Sequence, residues 1–185
     1  MRRKSFAKMH CPVARSLDRV GEWWSMLILR DAFAGMTRFD AFQKSLGIAP
    51  NILSRRLNAL VAAGLLERRR YATRPVRHDY ILTERGRDFR PVLLSLQAFG
   101  NRHFAPEGAS VVLVDATTGV AADPVLVDRV TGQPITVTSH RNVPGPAAGA
   151  AVKRRLAAAK PPAEPPAALP SKPRRGKPAA AGARR

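Results

Sequence analysis

The segment Asp40–Gly64, DAFQKSLGIAPNILSRRLNALVAAG, constrains the fold of this chain more than any other. Asp40 and Gln43 have the spacing of a capping box, with Phe42 and Leu46 apolar behind them, so the pattern predicts a helix starting at Asp40. Gly47-Ile48-Ala49 reads as a turn. Pro50 suits the first turn of a second helix, where its missing N–H would be unpaired in any case. Leu53, Leu57 and Leu60 recur at spacings of four and three, one buried helical stripe that Gly64 terminates. Two short helices about so brief a turn form a helix-turn-helix candidate, whose second helix, about 50–63, would enter the major groove of double-stranded DNA. Opposite the leucines stand Asn51, Ser54, Arg55 and Asn58, the candidate base-reading side chains, because amide, hydroxyl and guanidinium groups match base edges.

The flanks extend this module. Leu65–Tyr71 and Arg77–Leu82 read as two strands linked through residues 72–76, which contain Pro75. A hairpin tipped by Arg74 and Arg77 directly after a helix-turn-helix has the sequence shape of a winged helix, with the wing, about 72–77, on phosphate or minor groove. Upstream, Cys11-Pro12 opens a helix in which Val13, Leu17 and Val20 share a face and Gly21 ends the run. Glu22–Phe33 is apolar around most of its circumference and reads as the central core helix, with Trp24 inward and Trp23 free for a contact or pocket. Downstream, Thr83 can cap a helix from Glu84 to about His103 whose apolar face carries Phe89, Val92, Leu93 and Leu96. Pro91 should kink or break it. A long helix outside the reading module suits subunit pairing.

Charge points the same way. Lys+Arg number 32 against 13 Asp+Glu, a formal net charge of +19, which self-repels unless a polyanion is the partner. Ten of those cations lie beyond Pro146, against Glu164 alone, so a basic body (residues 1–145) carries a basic tail. The tail, 146–185, is rich in Ala, Pro, Lys and Arg and is expected to be disordered, adding sequence-independent phosphate contacts. Residues 1–10 form a short basic arm. No apolar run follows Met1-Arg2-Arg3-Lys4 before Asp18, and none of membrane-spanning length exists elsewhere, so the expected location is cytoplasmic and nucleoid-associated, without a membrane partner.

Three runs, CPVARSLDRVGEWWSMLILRDAF, RFDAFQKSLGIAPNILSRRLNALVAAGLLERR and PVRHDYILTERGRDFRPVLLSLQAFG, occur in the order found in HxlR-type winged-helix transcriptional regulators, and the chain resembles that family over about Cys11–Arg102. The resemblance implies an α+β fold: a winged helix-turn-helix with flanking dimerisation helices over 11–104, here followed by a small β-hairpin module over 108–145. It also implies a homodimeric bacterial regulator on a roughly palindromic operator, more a repressor than an activator. By motif, Asn51, Ser54, Arg55 and Arg56 fall on the family's recognition helix, with Arg56 on phosphate. Arg74 and Arg77 fall on its wing, with Arg68, Arg69 and His78 as further phosphate neighbours. Val13, Leu17, Val92, Leu93 and Leu96 belong to the pairing helices. The chain departs from the family at Ala49, where a Ser/Thr-type cap is common and whose loss costs about 1 kcal/mol, and at Trp23, where the family has Lys or Arg.

Cys11 sits where some family members carry a redox-sensing cysteine. A thiol at a helix N-terminus, next to His10 and near Lys8, has its thiolate favoured by the helix dipole and cations, whereas as a small apolar residue it would simply pack. Being the only cysteine, it allows no intrachain disulfide. From Ser110 two near-copies, VLVDATTG and VLVDRVTG, each end in a glycine turn and predict two small hairpins. A subgroup of these regulators carries Cys-x-x-Cys-Gly knuckles in a similar setting. Here Asp128 and Thr131 precede Gly132, so a thiolate zinc site is excluded and no metal or cofactor is expected, leaving the ribbon shape without the ion.

No nucleophile elbow, phosphate-cradling glycine loop or His-Glu-x-x-His occurs, and His10, His78, His103 and His140 are scattered, so an enzyme is not expected. Two readings of different class remain: a sequence-specific regulator answering to an unidentified small-molecule or redox effector, and a nonspecific architectural DNA-binding protein dominated by its tail. Polar variety at Asn51, Ser54, Arg55 and Asn58 favours the first, since lysine alone would serve the second.

Overall fold

The computed structural model describes residues 6, 9 and 11–159. Its elements run α1 (Pro12–Val20), α2 (Trp23–Phe33), α3 (Phe39–Leu46), α4 (Pro50–Ala62), β1 (Leu66–Thr73), β2 (Val76–Leu82), α5 (Glu84–Arg87), α6 (Arg90–His103) and α7 (Ala150–Ala157). β1 and β2 form an antiparallel hairpin from Leu66↔Leu82 to Thr73↔Val76, with a bulge at Tyr71. Both strands reach further than the sequence suggests, and only Arg74-Pro75 remains between them. A third, single-residue rung appears where Arg38 bridges Asp79.

The core lies where the helix-turn-helix meets α2 and the hairpin. Leu53, Leu57 and Leu60 of α4 pack with Ile28 and Leu29 of α2, Phe42 of α3, Leu66 of β1 and Tyr80 of β2. Each fully buried aliphatic side chain contributes about 1.5–3 kcal/mol to keeping α4 seated. Trp24 leans on this core, while Trp23 stands 75% exposed. Gly64, at φ 71°, turns the chain from α4 into β1 in the left-handed region that glycine enters without penalty.

Several expectations need correcting. Asp40 does not cap α3; the helix starts a residue earlier, after Arg38, and no side chain caps it. Arg38 is held extended by its rung on Asp79, which moves the helix start ahead of the predicted box. The helix expected over 84–103, with a kink or break at Pro91, is broken into two helices. Pro91 lacks an N–H and its ring crowds the carbonyl four residues back, at Arg87, where α5 ends; α6 then begins with Pro91 in its first turn. Thr83 does cap α5, accepting from Gly86 N–H at 3.0 Å, and its hydroxyl donates to Gly64 O at 2.6 Å. Gly86 is pressed against β1's entry: a Cβ there would sit 2.1 Å from Leu65 O.

Beyond α6, the two expected hairpins are present but short, each a single antiparallel bridge, Val114↔Ala121 and Val127↔Pro134, flanked by backbone hydrogen bonds from Asp115 N–H to Val120 O and Ala122 N–H to Leu113 O in the first and from Asp128 N–H to Gln133 O and Ile135 N–H to Leu126 O in the second. The stretch expected to be disordered from Pro146 contains α7 near its start. Its AAVKRRLA sequence is rich in strong helix formers, and Val152 and Leu156, four apart, are half-buried. The remainder of the tail expectation, 160–185, and most of the N-terminal arm lie outside the described residues. Of that arm, Phe6 N–H donates to Asp18 at 2.8 Å and Met9 O accepts from Arg15 at 2.6 Å, so both positions are tied to α1.

Candidate nucleic-acid interface

α4 is divided lengthwise. Leu53, Leu57 and Leu60 are wholly buried, and Asn51, Ser54, Arg55 and Asn58 are all exposed on the other side. Burial of one stripe therefore fixes which side chains the helix offers outward. Ala49 caps α4 without a side-chain bond, and the Asn51 side-chain carbonyl accepts from Ile52 N–H at 2.8 Å, leaving the Asn51 amide N–H2 outward. The positive end of the helix dipole lies at the same end, favourable for an approaching phosphate.

Arg56 is the exception. Expected on phosphate, it turns toward the body of the domain and pairs with Glu22, the residue that caps α2. Both side chains are about a fifth exposed, and Glu22 Oε2 and Arg56 Nε have no hydrogen-bond partner among the described residues. Position 56 borders the leucine stripe, so a long cation there reaches inward to the nearest carboxylate. Arg56 thus fastens α4 to the α1–α2 corner.

The wing carries exposed cations along its length, from near the base of the hairpin to its tip. Arg68, Arg70, Arg74 and Arg77 are exposed, with Arg74 at the tip and Arg77 opposite Ala72. Arg69 is exposed but donates to Glu67 at 2.7 Å, and His78 is half-buried opposite Arg70. A latch holds this hairpin to the reading head: Tyr80 N–H donates to Thr37 O at 2.7 Å and Thr37 Oγ1 donates to Asp79 at 2.9 Å. Arg38 lies 4.0 Å from Asp79 and 4.9 Å from the centre of the Tyr71 ring. Sequence reasoning missed Arg38 and Arg70 as surface cations. Arg70 was visible in the arginine run, whereas Arg38 joins the wing only through the Asp79 rung.

The expected pairing residues divide. Val13, Leu17, Val92 and Leu96 are 44–67% exposed, and Phe99 and Phe104 join them at 51% and 73%. Leu93 instead packs against its own core. Cys11 is half-buried at the start of α1; its thiol is held below the ordinary value first by Ala14 N–H and next by the Arg155 guanidinium, 3.8 Å away. His10 and Lys8 lie outside the described residues. No group of three or more metal-ligating side chains occurs among the described residues; His140 lies 4.0 Å from Asp128, a pair only. No described helix is long and apolar enough to cross a membrane.

The HxlR-like helix-turn-helix model matches residues 19–108. The uncharacterized HTH-type transcriptional regulator Rv3095 of Mycobacterium tuberculosis is 42% identical over 135 residues, 72% of this chain and 85% of its own. The chain belongs to the HxlR-like helix-turn-helix family. Among solved structures, the Pseudomonas aeruginosa candidate transcription factor PA1374 is 51% identical, with a TM-score of 0.59 over 79% of this chain and all of its own. PA1607, also a candidate transcription factor, is 39% identical, with a TM-score of 0.67 over 76% of this chain and 99% of its own. Both matches run beyond the winged helix, so this HxlR-like protein shares more than its reading head with them. It is a transcriptional regulator built on a helix-turn-helix DNA-binding fold, and its relatives have a non-enzymatic role.

Proposed function

We propose that the protein is a homodimeric, sequence-specific regulator that seats α4 in the major groove and the wing on phosphate or minor groove of a roughly palindromic operator. The single observation carrying this reading is the division of α4: three leucines at zero exposure on one side and Asn51, Ser54, Arg55 and Asn58 exposed on the other. Each bidentate base contact adds about 1–3 kcal/mol of discrimination. Arg68, Arg70, Arg74 and Arg77 supply the sequence-independent share through phosphates.

The homodimer is supported by the uncovered apolar stripe Val92, Leu96, Phe99 on α6, at spacings of four and three, together with Val13 and Leu17 on α1. Repression follows from occupancy alone, since a dimer across an operator blocks polymerase without a further contact. Cys11, with its thiolate favoured at the start of α1, is the redox input in this reading, and diamide-treated protein should bind its operator more weakly. The location that fits is the cytoplasm, on the nucleoid. Arg55→Ala tests the base-reading assignment: at constant salt it should relax preference at one position per half-site by about 1–3 kcal/mol with the circular dichroism unchanged. An unaltered preferred site would remove Arg55 from the bases.

A further inference from the structure

The end of α2, strand β2 and the α5–α6 junction border a cleft of about 400 Å3 that the reading face does not use. Its lining is mostly apolar and includes Phe33, Met36 and Tyr80. Arg87 and Arg90 line it too, and no carboxylate does so among the described residues. Arg87 donates to Leu82 O at 2.8 Å, while the Arg90 side chain is exposed and makes no hydrogen bond or ion pair among the described residues. Two guanidinium groups without a counter-charge, beside a recess of small-molecule size, call for an anion with a hydrophobic body. A phosphate alone would leave the apolar and aromatic lining uncovered, and a neutral hydrocarbon would leave the arginines unused.

We propose that this cleft binds a small amphipathic carboxylic acid, its carboxylate on Arg90 and Arg87 and its aromatic or aliphatic body against Phe33, Met36 and Tyr80. The position suits an effector. Thr37 lines the same cleft and is the wing's latch, accepting from Tyr80 N–H and donating to Asp79, while Arg90 is the first residue of α6. A ligand here touches both the wing's anchor and the start of the helix proposed to pair subunits. It shifts DNA binding to the extent that it fits one wing arrangement better than another. Only this regulatory consequence rests on the regulator reading; the binding itself does not.

The test uses the full chain without DNA, labelled with 13C at its methionine methyls and titrated with benzoate, phenylacetate and hexanoate. At least one acid should move the Met36 methyl signal saturably while leaving Met9 unmoved, and the matching amide should bind at least tenfold more weakly. Arg90→Gln, at an exposed position where folding is not at stake, should weaken the acid at least tenfold. Equal affinity of the variant, equal affinity for the amide, or silence of Met36 toward all three acids overturns the proposal. So does a Met36 signal that answers to protein concentration and to no acid, since that would put a second copy in the cleft. DNA selection by the same protein is measured separately, so failure here leaves the reading of α4 untouched.

Discussion

In the winged-helix head, Ile28, Leu29, Phe42, Leu53, Leu57 and Leu60 are wholly removed from solvent, whereas between residues 109 and 149 no side chain is buried and Val130 is 93% exposed. The second region holds its shape by other means. Asp115 accepts from Thr117 N–H, Thr118 N–H and Thr118 Oγ1 at 2.7–3.0 Å, and Asp128 accepts from Val130 N–H, Thr131 N–H and Thr131 Oγ1 at 2.7–3.3 Å. A third turn repeats the plan with hydroxyls, Thr136 bonding Ser139 through both side chains and both backbone N–H groups. Hydrophobic burial couples distant segments and melts as a unit, while these bonds span a few residues each and open locally. The module touches the head through α6, where Asn101 and Gln97 donate to Val111 O at 2.9 and 3.4 Å.

The sharpest way to break this contrast is to open the head's core. Leu57→Ala should lower its stability by about 2–5 kcal/mol in urea denaturation and abolish operator binding at 37 °C; a loss below about 1 kcal/mol would mean the leucine stripe does not seat α4. Next in size is the Glu22–Arg56 pair. Glu22→Ala leaves a mostly buried guanidinium without its partner and should cost about 1–3 kcal/mol, with the loss reduced when Arg56→Met is added. A double-mutant cycle showing no coupling would return Arg56 to the DNA face. In the module, Asp128→Ala should speed hydrogen exchange at Val130 and Thr131 and leave the head's melting temperature unchanged. A head that melts earlier with this variant would show that the two regions are one cooperative unit.

The smallest effect is acid titration. Hydrogen bonds from Thr118 and then Thr117 hold the Asp115 carboxyl below the ordinary aspartate value, and those from Thr131 and Val130 do the same for Asp128. Because the folded value is depressed, the turns gain stability that is present above the ordinary value of about 3.9 and lost as pH falls through the lower folded value. Nuclear magnetic resonance signals of Thr118 and Thr131 should therefore stay fixed at pH 5 and move only below about 3.9. Movement at higher pH would mean the carboxylates are not the acceptors.

How far sequence reasoning reached follows the same division. The leucine stripe, Pro50, Gly64 and the Thr83 cap were readable because each acts within a turn or two of helix, where periodicity and stereochemistry decide. The exposed set Asn51, Ser54, Arg55 and Asn58 followed from that stripe by geometry alone. What escaped reading depended on partners remote in sequence: the Arg38 rung on Asp79, which displaced the start of α3, and the Glu22 carboxylate, which drew Arg56 inward. The break before α6 was half visible, since Pro91 announces a disruption but not whether the chain bends or restarts. α7 was hidden by composition, because eight helix-forming residues were averaged with the proline-rich stretch that follows.

If α4 reads sequence, the protein must prefer particular duplexes over others. Selection from a random duplex DNA library by the full chain, at about physiological salt where counterion competition suppresses nonspecific binding, tests it most directly. The expected result is a two-fold symmetric motif with half-sites about one helical turn apart, or a multiple of that, which Arg55→Ala degrades within each half-site. Recovery of no motif, with wild-type and Arg55→Ala proteins binding every duplex alike, would contradict it.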